Sequence, residues 1–161
     1  MIADRATLAA LFEGAPGFLA RLEASGPFVT PGALFDTARR IAHAMPEADQ
    51  VELVDAHPRL GAPPGTMSAM SVREQGTDRD AGTDLAAELE RLNDAYEARF
   101  GFRYCVFVAG RSRHELLPGM VAALEADRDT ELHRAIDAVI DIAIDRHATP
   151  ATPPRTAEAR P

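Results

Sequence analysis

Two short stretches of this chain carry residue types that could share a reaction: His57-Pro58-Arg59-Leu60-Gly61 and Ser71-Val72-Arg73-Glu74-Gln75. A proline disfavours the α-helical conformation in the residue before it. A helix through Val51–Ala56 should therefore stop here and leave His57 at its end, facing a Gly/Pro-rich loop. Ser71 and Glu74 are three residues apart, the spacing that shares one face of a helix. An imidazole, a hydroxyl, a carboxylate and an amide around one loop make an acid–base site.

Each of these groups also has a plainer reading. His57 can be a helix-terminal structural residue, a metal ligand or a general acid–base, since imidazole titrates near neutrality. A metal reading lacks support from spacing: His43, His114, His133 and His147 are scattered, and no HExxH occurs. S-x-x-E at a helix start is a capping box, so Ser71 and Glu74 can serve the helix, a ligand or both. On the last helix, Ile136, Val139, Ile140, Ala143 and His147 share one side, with Asp137, Asp141 and Asp145 opposite. Arg146 falls at the edge of the apolar stripe. It either snorkels to water, complements the helix dipole, or points a guanidinium at a carboxylate or planar amide.

The elements that must position these residues read as helices with a period near 3.6. Ala6–Glu13 and Phe18–Glu23 are short. Thr30-Pro31 is an N-cap with proline at the first helical position, followed by the stripe Leu34, Phe35, Ala38, Ile41, Ala42 and Met45. Pro46 opens the helix that leads to His57, with Glu47 and Asp49 in its first turn. Ser71 starts a short helix after the Gly61–Gly65 loop. Leu85, Leu89, Leu92, Tyr96 and Phe100 line a long helix ending at Gly101, and this stripe is simply core. Tyr104–Val108 is the one strand-like run. With nothing to pair with, it reads as a buried extended segment. Ser112 caps a helix with Glu115 in capping-box spacing and Pro118 early in it, and Asp129–His147 is the last long helix. The class is all-α, one helical bundle over 1–147, with a Pro/Thr/Ala-rich tail over 148–161 expected to be disordered.

Bulk properties narrow the function. The 161 residues suit one domain, and the formal net charge is -8. Phosphate backbones are bound by clustered Lys and Arg, so no nucleic-acid partner is expected. No apolar run is long enough for a bilayer, and the N-terminus does not read as a signal peptide. The single Cys105 permits no internal disulfide and suits a reducing cytoplasm. It sits in an apolar run, where a buried inert thiol is expected.

Together the motifs resemble the OHCU decarboxylase family, whose members convert 2-oxo-4-hydroxy-4-carboxy-5-ureidoimidazoline (OHCU) to (S)-allantoin in urate breakdown. They run in the family's order: His57-Pro58 with Leu60-Gly61, then Ser71-x-x-Glu74-Gln75. Leu92-Asn93-x-x-Tyr96-x-x-x-Phe100-Gly101-Phe102 follows, running into Tyr104–Val108 and Gly110-Arg111-Ser112, and Ile142-Ala143-x-x-Arg146 closes the series. The resemblance spans roughly residues 4–147. It implies an all-helical fold, no metal and no organic cofactor. It implies His57 and Glu74 as the catalytic pair, with Pro58, Ser71, Gln75, Arg146 and the segment Phe107, Val108 and Ala109 contacting substrate. It also implies coupling to a urate oxidase and a hydroxyisourate hydrolase. The chain departs from the family in Arg59, where an acid is frequent, and in its compact Pro63-Pro64-Gly65 loop. A cofactor-free hydrolase of a ureide or purine ring and a non-catalytic helical binding module are the alternatives. Monomer and dimer are both compatible with the sequence.

Overall fold

A computed structural model describes residues 4–75 and 83–149, apart from the side chains of Pro64, Glu74 and Thr83. The described residues form eight α-helices and one 3-10 turn at Pro64–Thr66, with no β-strand. The helices are α1 (Arg5–Phe12), α2 (Pro16–Ala24), α3 (Pro31–Ala44), α4 (Glu47–Asp55), α5 (Ala69–Gln75), α6 (Thr83–Phe100), α7 (Arg113–Ala123) and α8 (Arg128–Ala148). The all-α reading and its helix order are those of the structure. The tail from residue 150 onward lies outside the described residues.

Local chemistry sets most helix starts. Thr30 accepts the Ala33 N–H with Pro31 at the first helical position, Ser112 and Glu115 form a full capping box, and Asp127 caps α8 through the Thr130 N–H. Two expectations are corrected. α5 begins at Ala69 rather than at Ser71, because Ser68 provides the cap: its hydroxyl accepts the Ser71 N–H at 3.1 Å. Ser71 is therefore inside the helix and is not its capping residue. Pro118 lies in the middle of α7, not in its first turn. There it gives up one intrahelical hydrogen bond without ending the helix.

The last helix organises the bundle. α8 packs against α1, α3 and α4, and buries Leu132, Ala135, Ile136, Val139, Ile140 and Ala143. Burying a side chain of Ile or Leu size contributes about 1.5–3 kcal/mol, so this one stripe anchors three neighbours. Leu89, Leu92, Tyr96 and Phe100 of α6 are buried as their spacing requires. On the opposite side of α8, Arg39 of α3 pairs with both Asp137 and Asp141, tying those two helices across their polar rims.

Residues 103–108 run extended without a strand partner. Their carbonyls are met by arginines instead. Arg134 of α8 donates to the Cys105 carbonyl at 2.9 Å, and Arg111 donates to the Val108 carbonyl at 3.0 Å. Behind Arg134, the buried Glu131 accepts both from Arg134 and from the Tyr96 hydroxyl, the latter at 2.6 Å. A segment that cannot complete a sheet thus has the Cys105, Phe107 and Val108 carbonyls satisfied by arginine side chains.

Candidate active site

The end of α4, helix α5, the 104–110 segment and the end of α8 enclose a cavity of about 320 Å³. That is within the size range of small-molecule sites. His57, Pro58, Ser71 and Gln75 line it, as do Phe107, Val108 and Ala109. Seven of the nine expected site residues thus line one cavity. The other two are Glu74 and Arg146. Glu74 belongs to α5, but its side chain lies outside the described residues.

His57 follows the α4 C-cap Ala56, where Pro58 stops the helix. It is 3% exposed, and neither ring nitrogen makes a hydrogen bond of good geometry among the described residues, although the Leu53 carbonyl lies near the ring. An orphaned buried polar group is rare in native proteins and costs stability. Here both orphans belong to a ring on a cavity wall, an arrangement a polar ligand would satisfy. Burial pushes the imidazole pKa down to about 4, helped by the nearby Arg146 charge and opposed by Glu13 and the Leu53 carbonyl. At neutral pH the ring is uncharged. It offers one donor and one acceptor, so it can take a proton but has none to lend until it has taken one.

Arg146 does not line the cavity. Its side chain is 0% exposed, which excludes snorkelling. Its guanidinium lies behind Ser71 and donates to the Ala10 and Leu11 carbonyls, to Glu13 at 2.8 Å and to the Ser71 hydroxyl at 3.2 Å. Glu13 is the centre of this network and was absent from the sequence reading. Sitting just past α1 in a left-handed conformation (φ 54), it accepts from Ser71 at 2.6 Å and from Ser68 at 2.8 Å. Those hydroxyls and Arg146 outweigh its burial and hold its carboxyl below the usual range. A charged residue just before Gly14 is the only sequence signal for it, and that signal is weak.

Gln75 serves the loop as well as the cavity. Its Oε1 accepts the Gly61 N–H at 2.8 Å, and its Nε2 donates to the Arg59 carbonyl at 3.2 Å. Gly61 adopts φ +84 there, a conformation natural to glycine. Arg59 faces away and binds Glu97 through two nitrogens, with Asp94 beside it. Arg59 thus finds its partners on α6. Arg73, Cys105 and Asp145 also line the cavity. Cys105 is buried, as expected, and belongs to the cavity wall. Asp145 separates from Asp137 and Asp141, which pair with Arg39. Among the described residues no three His, Cys, Asp or Glu side chains gather as a metal site, and no helix is long and apolar enough to cross a membrane.

A hollow of this size in an all-helical bundle, walled by a neutral buried histidine and polar side chains, defines a small-molecule enzyme site. The family model for OHCU decarboxylase matches residues 3–148, and the chain belongs to that family. It is 33% identical over 142 residues to the uric acid degradation bifunctional protein PucL of Bacillus subtilis, covering 85% of this chain and 28% of that protein. It is 26% identical over 134 residues to the 2-oxo-4-hydroxy-4-carboxy-5-ureidoimidazoline decarboxylase of Haloferax volcanii, covering 83% of this chain and 80% of that one. The chain thus spans little more than a quarter of the bifunctional relative but most of the single-function one. Its fold matches a crystal structure of OHCU decarboxylase in the presence of (S)-allantoin, with TM-score 0.73 and 24% identity over 91% of this chain and 96% of that one.

Proposed function

We propose that this protein decarboxylates OHCU to (S)-allantoin without a cofactor. The observation that carries the reading is His57: buried, neutral, unpartnered at both nitrogens and facing a cavity, in a chain of this family. The substrate provides its own electron sink. The bond from ring carbon to carboxylate breaks and CO2 departs; the electron pair forms a double bond to the neighbouring ring carbon, whose imine pair moves onto nitrogen, which takes a proton from solvent. The hydroxyl on that carbon gives up its proton as it becomes a carbonyl. A proton then arrives at the neighbouring ring carbon, which becomes the stereocentre of allantoin.

The neutral His57 ring suits the first proton step, accepting from the hydroxyl. Once charged, the same imidazolium is an acid held against one face of the ring, with the proton needed to set the stereocentre. Burial makes that charged state costly, which favours prompt return of the proton. A positioned acid–base group contributes typically ~10²–10⁴-fold. Glu74 orients the ring and ureido nitrogens, Gln75 and Pro58 shape the wall beside His57, and the 107–109 backbone meets the ring's polar edge. Ser71 presents a hydroxyl fixed by Glu13 and Arg146. Arg146 acts through that hydroxyl and through its positive charge, which helps keep His57 neutral. Direct contact with substrate would require it to exchange its bonds to Glu13 and Ser71.

The pathway placement follows from the substrate. The enzyme would take OHCU from a urate oxidase and a hydroxyisourate hydrolase, in the cytoplasm, as a monomer or a homodimer. The test is circular dichroism of allantoin formed from urate with those two enzymes supplied. The expected result is rapid growth of an (S)-allantoin signal only when this protein is present. His57→Asn should abolish the enantiomeric excess while the fold persists. Ammonia release without CO2 would point to a ureide hydrolase, and a single enantiomer formed at wild-type rate by His57→Asn would remove His57 from the reaction.

A further inference from the structure

Resting on that reading, we infer that Arg73 is the residue that receives the substrate's carboxylate at the cavity mouth. The substrate is an anion approaching a protein of net charge -8, so it needs a local cation. His57 is uncharged at neutral pH. Among the described residues that line the cavity, Arg73 is the sole cation, with Asp145 the sole anion.

The neighbouring arginines are committed elsewhere. Arg146 lies behind Ser71 and is taken up by Glu13 and two carbonyls. Arg59 is bound to Glu97 and Asp94. Arg103 donates to the Asp55 and His57 carbonyls, and Arg111 to those of Phe107 and Val108. Arg73 is exposed. Its Nη2 donates to the Thr149 carbonyl at 2.9 Å, and it has no carboxylate partner among the described residues. That bond fixes one side of the guanidinium against the end of α8 and leaves its other donors for a two-point contact with an anion. It projects from the same short helix as Ser71 and Gln75, so carboxylate and ring are gripped by one helix. Asp145, on the α8 side, would repel a carboxylate but accept ureido N–H groups. The two charges together fix which end of the ligand faces which wall.

The chemistry gives this contact a distinctive signature. The carboxylate loses its charge as CO2 forms, so an ion pair to it stabilises bound substrate at least as well as the transition state. Removing such a contact raises KM without lowering kcat. Allantoin has no carboxylate and should not register the change.

The experiment compares wild type, Arg73→Gln and Arg73→Lys for OHCU turnover and for inhibition by allantoin. Arg73→Gln should raise KM about tenfold, the scale of one charge-assisted contact, with kcat within about twofold and allantoin inhibition unchanged. Arg73→Lys should recover part of the loss. The wild-type KM should rise with salt, and the Arg73→Gln value should not. An unchanged KM in Arg73→Gln overturns the assignment. So does a parallel loss of allantoin binding, which would mean that Arg73 only braces the end of α8. Absence of turnover by the wild-type chain overturns the decarboxylase reading itself, and the named substrate with it.

Discussion

The neutrality of His57 can be measured through stability as well as rate. Its pKa falls from 6.5 in the unfolded chain to about 4 in the folded one. Between those values the unfolded chain holds a proton that the folded chain does not. Stability therefore is full above about pH 6.5 and is lost as pH falls toward 4, with a slope of about 1.4 kcal/mol per pH unit. The whole window is worth about 3 kcal/mol. At pH 5 the loss relative to pH 7 is about 2 kcal/mol from this one group. His57 is 3% exposed, so solvent screening takes little from that figure. Glu13 works in the same direction, but only below the ordinary carboxylate range.

Urea denaturation of wild type and His57→Asn at pH 7 and pH 5 isolates the contribution, because the other four histidines are common to both. The wild type should lose about 2 kcal/mol more than the variant on going to pH 5. Ring nitrogen shifts should show His57 titrating with a midpoint near 4, and kcat/KM should show no His57 titration between pH 5.5 and 8. Parallel pH slopes in the two proteins, or a ring midpoint near 6.5, would refute both the burial argument and the assignment of the neutral ring as base.

Two further perturbations probe the supports of the site. Glu13→Ala leaves the fully buried Arg146 without its carboxylate and should destabilise the fold by about 3 kcal/mol, at the lower end for a broken buried pair. The Ala10 and Leu11 carbonyls still hold part of the guanidinium. The loss should appear as a Tm drop of roughly 6–12 °C, and a drop under about 2 °C would mean that the network carries no stability. Gly61→Ala places a methyl 3.0 Å from the Leu89 side chain at φ +84. It should cost about 1–3 kcal/mol and raise KM by loosening the Gln75 bond to the loop. Unchanged stability and KM would show that the 59–61 loop tolerates the strain.

What could be read in the chain is what short-range chemistry fixes. Pro58 ends a helix and leaves His57 at its tip. Thr30-Pro31 and Ser112 with Glu115 set helix starts through contacts within one turn, and the apolar stripe of α8 reports a buried face. The ordered motifs add the family. Local spacing alone misplaced the cap of α5, because Ser68 and Ser71 both offer a hydroxyl in reach of backbone donors and only the packed structure chooses between them. It also drew Asp137, Asp141 and Asp145 as one acidic face, whereas Arg39 claims the first two and the cavity the third. The larger omission was Glu13. Its partners Ser71 and Arg146 are 58 and 133 residues away along the chain, and helical periodicity carries no information at that range. Which buried charges meet is decided when α1, α5 and α8 pack. The same packing takes Arg146 out of the cavity and leaves Arg73 at its mouth.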